Sequence, residues 1–296
     1  MRKILPRNVV WLPVLLVAFF CMLTPVRAHP GIDEQIADIE ERIAATPTDA
    51  TLYLRRGELL RIHRDWSGAE ADYRHALKLD PELIIVQQCL GRLMLDSDRA
   101  SEAIKPLETY LAKRSNDTKT LALLSRAYMQ LGKYKKAAEG YTRTLASITD
   151  GKPRPEYFLE RSRALVAAGP KNIHAALAGL DEGLRALDYP VTLQLYAIEL
   201  EIDHLRYDAA LARLDQIASR SARQETWLVR RGEILEKAGR HEEARRAYQK
   251  TLDAIASLPA SRIKNRAVER LLVDATAGIE RLDAKHAEEE PGATPG

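Results

Sequence analysis

The sequence is poor in cysteine. Its 296 residues include only Cys21 and Cys89, and Cys21 lies in an N-terminal segment that we expect to be removed. Cys89 then has no partner in its own chain, so the fold must be stabilised by packing rather than by disulfides. We expect a small buried side chain at Cys89, although in an oxidising compartment it could link two chains.

The short motifs of common catalytic sites are also missing. There is no Gly-rich phosphate loop with its Lys, no His-Glu-x-x-His helix, no Gly-x-Ser-x-Gly turn and no Cys pair for zinc. The seven histidines are scattered, which favours capping or solvated roles. The sequence therefore predicts a protein that is not an enzyme and has no cofactor. One alternative concerns His29, which as a new N-terminus could bind copper(II) through its amine and imidazole.

A sustained excess of positive charge is absent as well. The chain has 45 Lys and Arg against 42 Asp and Glu, but four of the cations and none of the acids lie in residues 1–28. Without that segment the balance is 41 to 42. Binding to nucleic acid needs a clustered positive field, so we expect no nucleic-acid partner.

The N-terminal segment has the pattern of a secretory signal. Arg2, Lys3 and Arg7 precede an uncharged, mostly apolar run over 9–23, and small residues flank Arg27 at a cleavage position after Ala28. An uncleaved anchor is the alternative, but 15 residues fall short of the roughly 20 that span a bilayer. We therefore predict a signal peptide over 1–28, a periplasmic or extracellular chain, and no further membrane contact.

The main positive signal is an internal repeat. Small residues recur at steps of 34 along the chain, a period typical of stacked helix pairs. One step, from Ala137 to Ala176, is 39, which we assign to extra residues near 149–153 and 169–172. The recurring positions are Gly57, Gly91 and Ser125, then Ala69, Ala103 and Ala137, and later Ala176, Ala210 and Ala244.

The repeat resembles the tetratricopeptide repeat (TPR). Residues 50–83 supply its small residue, Ala, aromatic, Ala and closing Pro, in that order, and Leu107, Leu180 and Leu214 replace the aromatic residue in other units. The matching residues are Gly57, Ala69, Tyr73, Ala76 and Pro81. The resemblance implies an all-α fold, a right-handed superhelical solenoid of antiparallel helix pairs. Each pair cannot bury its apolar face alone, so neighbours must stack.

The repeat also divides the chain. We predict an N-terminal capping helix within 29–49, about six TPR-like repeats over 50–256, a C-terminal capping helix within 257–287 and a disordered tail over 288–296. An apolar stripe at 32, 36, 39 and 43 supports the first cap, and a long amphipathic segment over 262–286 supports the second.

One face of the first helices is predicted to line a groove. At about 100° per residue, the residue after each small position points away from the neighbouring helix pair, and in TPR proteins this side is concave. Arginines occupy it in three consecutive units, with acids in the outer units. These residues are Glu58, Arg92, Arg126, Arg163, Glu199 and Glu233.

Mostly apolar residues lie four positions earlier on the same face. They are Leu54, Gln88, Ala122, Leu159, Leu195 and Val229. An apolar floor below guanidinium groups suits a peptide that carries carboxylates. The alternative is that the arginines pair with neighbouring acids. The family's clamp for C-terminal carboxylates is not expected, because Leu54 and Glu58 occupy positions where it uses Lys and Asn.

These features favour an exported scaffold or adaptor that binds a protein or peptide partner in the cell envelope. A carrier of a small anion or glycan on the arginine strip is the alternative. The sequence leaves the partner and the oligomeric state open.

Overall fold

The computed structural model describes residues 31–289, and all of its regular elements in that range are helical. The predicted signal peptide and residues 290–296 of the predicted tail lie outside the described residues. The helices are α1 (Ile32–Ala45), α2 (Ala50–Ile62), α3 (Trp66–Leu79), α4 (Ile85–Asp96), α5 (Ala100–Lys113), α6 (Thr118–Gln130), α7 (Tyr134–Ala146), α8 (Pro155–Ala167), α9 (Ile173–Ala186), α10 (Val191–Asp203), α11 (Tyr207–Ser219), α12 (Gln224–Lys237), α13 (His241–Ala256), α14 (Ala260–Ile263) and α15 (Arg266–Glu289).

Helices α2 to α13 form six consecutive pairs. In each pair the first helix packs against the second, and the second helix packs against the first helix of the next pair. Short turns within each pair make the two helices antiparallel. This order gives one continuous row of helix pairs, as the 34-residue repeat predicts.

Close contacts between small and large side chains hold each pair together. A methyl group at Gly57 would lie 2.6 Å from Cε1 of Tyr73, and one at Gly91 would lie 2.4 Å from Cγ of Leu107. Tyr73 and Leu107 are fully buried. Leu107 therefore performs in its pair the packing task that Tyr73 has in the first, as ridges-into-grooves packing requires.

Capping side chains and glycines define several helix ends. Asp49 caps α2, because its side chain accepts a hydrogen bond from the backbone N–H of Thr51 at 2.8 Å. Gly132 and Gly239 follow α6 and α12 with φ of 67° and 71°. This left-handed conformation ends a helix at little cost when the residue is Gly.

The C-terminal cap differs from the single segment predicted over 262–286. A short helix, α14, ends at Ile263, and α15 begins at Arg266. Asn265 makes the break, since its side chain accepts a hydrogen bond from the backbone N–H of Ala267 at 2.9 Å. Helix α15 then packs on both α12 and α13. Within residues 31–289, no helix combines the length and apolar character needed to cross a bilayer.

Candidate functional site

The three predicted arginines each have an acidic neighbour. Nη1 of Arg92 lies 3.3 Å from Glu58, Nη1 of Arg126 lies 3.5 Å from Asp96, and Nη1 of Arg163 lies 2.7 Å from Oε1 of Glu160. The structure thus has the alternative arrangement, in which the arginines pair with acids. They do not form an unpaired guanidinium row.

The predicted apolar floor is only partly at the surface. Leu54 and Leu159 are half-buried and Leu195 is exposed. Gln88 and Val229, in contrast, are 5% and 4% exposed, so little of either side chain reaches the surface.

Both exceptions have a packing reason. The Gln88 amide nitrogen donates hydrogen bonds to Oγ1 of Thr120 at 2.5 Å and to Oδ1 of Asp117 at 3.0 Å. Those bonds hold it in the contact between α4 and α6. Val229 belongs to the apolar core that also contains Ile198 and Tyr248.

Three helices enclose a groove at the N-terminal end, which we call the N-terminal groove. Its volume is about 920 Å³, and its walls are α1, α2 and α4. Its apolar lining comprises Ile39, Leu54, Leu59, Ile85 and Cys89, and its polar lining comprises Glu34, Gln35, Asp38, Arg42, Arg55, Glu58, Gln88 and Arg92. The predicted groove residue Gln88 thus contributes to this lining although most of its side chain is buried. Ligand pockets typically measure about 300–1,000 Å³ and combine an apolar lining with a few polar groups, so this groove is large enough for a ligand.

A hydrogen-bonded acid lies in the wall of the N-terminal groove. The Tyr73 hydroxyl donates to Oε1 of Glu58 at 2.5 Å, and guanidinium nitrogens of Arg61 and Arg92 lie 3.3 Å from Oε2. Burial acts to raise the pKa of Glu58, but the Tyr73 hydrogen bond and the two arginines outweigh it and leave that pKa below its ordinary value. Glu58 is therefore a stable anion that fixes the positions of its neighbours.

Cys89 is the only cysteine among residues 31–289, and its thiol is not bonded to another sulfur. Its side chain is 5% exposed. Burial raises the pKa of the Cys89 thiol to about 12, and nearby Glu58 adds to the effect. A thiol with so high a pKa is a poor nucleophile at neutral pH, which agrees with the expected packing role.

A second pocket, which we call the cationic pocket, adjoins the N-terminal groove through Arg92. It measures about 420 Å³ and lies between α4, α6 and α8, with part of its lining from α7. Four cations, two tyrosines and two acids contribute to it. They are Arg92, Lys119, Arg126 and Arg154, then Tyr141 and Tyr157, then Glu156 and Glu160.

Buried charge elsewhere serves packing between pairs. Arg213 joins Oε1 of Glu201 at 2.9 Å to Asp181 at 2.7 Å, and so connects α9, α10 and α11. The other oxygen of Glu201 is buried without a hydrogen bond, and burial raises the pKa of this carboxyl. Among the described residues, no group of three or more His, Cys, Asp or Glu side chains could hold a metal ion.

Most of the described histidines lie near helix ends. Nδ1 of His204 is 2.8 Å from the Leu200 carbonyl oxygen at the end of α10, and Nδ1 of His63 is 3.5 Å from Asp33. These are capping and surface positions, as the sequence predicts. His29 and the copper alternative lie outside the described residues.

Comparison with known proteins identifies the fold. A family model described as a tetratricopeptide repeat-like domain matches residues 170–271. The C-terminal part of a TPR repeat-containing protein from Cytophaga hutchinsonii superposes with a TM-score of 0.62 at 12% identity, covering 81% of this chain and 94% of that one. The chain is a TPR-like repeat protein. No curated protein matches its sequence.

Two further solved structures share the TPR-like fold. A tetratricopeptide repeat protein from Parabacteroides merdae has a TM-score of 0.52 at 14% identity, covering 83% of this chain and 92% of that one. PilW, a type IV pilus biogenesis factor, has a TM-score of 0.53 at 17% identity, covering 66% and 90%. The predicted all-α stack of TPR-like helix pairs is thereby confirmed. At these identities the likeness concerns the fold alone.

Sequence reasoning missed two features of this TPR-like chain. Helix α1 was expected only to cover the first repeat, yet it supplies one wall of the N-terminal groove. Tyr141 and Tyr157 were not predicted to meet Arg126, and they share the cationic pocket with it. Tyr141 occupies the repeat position of Tyr73, two steps of 34 residues further on. That position predicts a packing residue, so nothing in the sequence indicated that Tyr141 would also line a pocket.

Proposed function

We propose that this TPR-like protein is a scaffold or adaptor that binds a protein or peptide partner along the first helices. The N-terminal groove is the observation that carries the proposal. Its floor is aliphatic, its walls are helices, and charged side chains surround the floor. An apolar floor with a polar rim is the arrangement by which grooves hold peptide segments.

Hydrogen bonds and ion pairs also fix the position of a side chain in the wall of the groove. Glu58 in its wall is held by Tyr73 from within the same helix pair and by Arg92 from the next pair. Side chains held in this way lose little freedom when a partner binds, which favours affinity. The absence of a recognisable catalytic motif from the sequence favours binding over catalysis as the task of this surface.

Crosslinking from the groove tests this function. A photoreactive phenylalanine analogue placed at Leu54 should capture a reproducible partner in envelope extracts, whereas the same analogue at exposed Ala112 on α5 should not. The Leu54 adduct should diminish when Leu59 is replaced by Glu, because the floor then carries a charge. Equal adducts at both positions, or adducts insensitive to Leu59→Glu, would contradict the assignment.

Export to the cell envelope is part of the proposal and is supported by the sequence of residues 1–28. N-terminal sequencing of the protein from the envelope fraction should begin at His29. A chain that begins at Met1 in the envelope fraction contradicts cleavage, and a chain that stays in the cytoplasmic fraction contradicts export.

A carrier of a small anion or glycan is the second candidate. The volume of the cationic pocket, about 420 Å³, is the observation that favours it. Binding to the folded chain raises the melting temperature by mass action, so thermal-shift measurements with phosphates, uronic acids and neutral sugars discriminate. A clear shift with one of them favours the carrier, and no shift with any of them removes it.

A further inference from the structure

The cationic pocket has positive charge that its own acids do not neutralise. Arg126 has one ion pair among the described residues, at 3.5 Å to Asp96, and that carboxylate already pairs with Arg61 at 2.7 Å. Arg92 likewise shares Glu58 with Arg61. Arg92 and Arg126 therefore each share their acidic partner with Arg61.

Lys119 adds a cation with no ion pair among the described residues. It is exposed at the start of α6 and lines the same pocket. The nearby Arg154 is paired with Glu156 at 3.3 Å and lies over the ring of Tyr157 at 5.8 Å. Counting the four cations against Glu156 and Glu160 leaves the pocket with a positive balance.

A buried tyrosine offers a hydrogen-bond donor to the same space. Tyr141 is only 5% exposed, lines the pocket, and has no hydrogen-bond partner for its hydroxyl within residues 31–289. Its hydroxyl oxygen is not among the buried side-chain atoms that lack a partner, so the hydroxyl is in contact with solvent and open to a ligand. Burial raises the pKa of Tyr141. The phenol therefore stays protonated and can donate a hydrogen bond to an acceptor.

We propose that the cationic pocket binds the carboxylate of an Asp or Glu side chain in an acidic segment of the protein partner, through Lys119, Arg126 and Tyr141. This inference rests on the proposed function, since it names the chemistry of the bound segment. A guanidinium, an ammonium and a phenol are all donors, and a carboxylate is an acceptor with several lone pairs.

The surroundings favour a carboxylate that belongs to a peptide. The pocket shares Arg92 with the N-terminal groove, so a segment with an apolar residue beside its acid can occupy both. Glu156 and Glu160 in the lining would repel the second charge of a phosphate. A singly charged carboxylate matches the pocket better.

Selection from a random heptapeptide display library tests the assignment on the folded chain. Wild-type protein should enrich peptides with Asp or Glu at one position, next to apolar residues. Lys119→Gln and Arg126→Gln should abolish the acidic preference, and the matched control Lys113→Gln, an exposed lysine on α5 with no ion pair among the described residues, should retain it. Leu54→Glu should weaken the apolar preference and keep the acidic one.

One enriched peptide then gives affinities by fluorescence anisotropy. Arg126→Gln should weaken binding by about tenfold or more, as expected for a hydrogen bond between charged groups, and Tyr141→Phe by about threefold to tenfold. The version of the peptide with Gln or Asn in place of its acid should bind weakly to all variants. Circular dichroism of each variant checks that it is folded.

The outcomes separate this inference from the proposed function. Enrichment without acidic preference, or affinities unchanged by Arg126→Gln, overturns the carboxylate subsite and leaves the groove as a peptide site. Enrichment of no peptide by wild-type protein, together with no adduct at Leu54, overturns both. Tighter binding of a phosphoserine version, or equal binding of free succinate, overturns the preference for a peptide carboxylate.

Discussion

At the scale of single residues, glycine positions on the first helices are fixed by what faces them. Tyr248 shows this from two sides: a methyl group at Gly232 on α12 or at Gly278 on α15 would lie 2.5 Å from its ring. A contact this short leaves no room for even the smallest side chain. The glycines are therefore needed for close approach, even though Gly is a poor helix former.

Gly57→Ala should consequently destabilise the protein. Alanine is better than glycine in a helix by about 1 kcal/mol, but its methyl group would overlap Tyr73, and overpacking typically costs about 1–3 kcal/mol. Urea unfolding measures the balance. The cost should be smaller in a Tyr73→Ala background, where the overlap is gone; a stabilised single variant would disprove the packing argument.

Glu58 links stability to pH. Its pKa is lower in the folded chain than its ordinary value of 4.5, so its contribution to the free energy of unfolding is complete above that pH and is lost as the pH falls through the folded pKa. Glu58→Gln should lower stability by about 1 kcal/mol at neutral pH. The difference from wild type should vanish in acid.

Urea unfolding at neutral and acidic pH checks the Glu58 prediction. Exposed Glu41, which has no ion pair among the described residues, offers the control: Glu41→Gln should leave stability unchanged at both pH values. A difference between Glu58→Gln and wild type that persists at low pH would exclude an electrostatic role for this carboxylate.

At the scale of elements, the two end helices do more than shield the stack. Helix α15 places Gly278 against Tyr248, which is the contact that Gly232 makes from α12. It therefore packs as the first helix of a further pair would. The sequence concealed this role because Gly278 follows Gly232 by 46 residues instead of 34, so a search at the repeat period does not find it.

Loss of the docking of α15 should loosen the last helix pair. Ala275 is fully buried on α15 and Val273 is 63% exposed on the same helix. Ala275→Arg should undock the helix and raise amide hydrogen exchange in α12 and α13, while Val273→Arg should leave exchange there unchanged. Slow exchange in both variants would show that the six pairs do not need this cap.

Helix α1 shows the corresponding limit at the other end. Its apolar stripe predicts which face is buried, and Ile39 is indeed buried. The stripe does not predict which surface the buried face of α1 packs against, because that depends on the path of the turn between α1 and α2. The N-terminal groove was therefore not predictable from the sequence, although Leu54 and Arg92 in its lining were named from their repeat positions.

At the scale of the whole molecule, contacts run mainly between neighbours along the chain. Ion pairs join successive units in the same way, as between Arg99 and Glu70 at 2.6 Å and between Arg240 and Asp208 at 2.8 Å. A structure of this kind has a stability that is close to a sum of units and interfaces. A destabilising substitution in one pair should then have little effect on the stability of distant pairs.

A cavity in a middle pair tests that property. Leu180 is fully buried in α9, and Leu180→Ala should cost about 2–5 kcal/mol locally. Hydrogen exchange should increase in α8 to α11 and hardly change in α2 to α5. Leu195→Ala, at an exposed position, is the control, and a uniform increase over all six pairs would contradict the stack of semi-independent units.

The fold was predictable because every helix pair needs small residues where its two helices approach closely. Those small residues recur at fixed steps in the sequence. The site was less predictable because its geometry depends on differences between units. Gln88 and Val229 occupy equivalent repeat positions to Leu54, yet local partners bury them. Arg92 and Arg126 were found by position, but the acids they pair with, Glu58 and Asp96, are each shared with Arg61 of the first pair, which the repeat pattern does not indicate.

The most direct test is a hydrogen-exchange footprint of the bound partner on the full chain. The central claim is that the first helices, with α1, form the binding surface. Partner binding should slow exchange in α1, α2, α4, α6 and α8, with the strongest protection around Leu54 and Arg126. Protection confined to the second helices α3, α5 and α7 would contradict the claim.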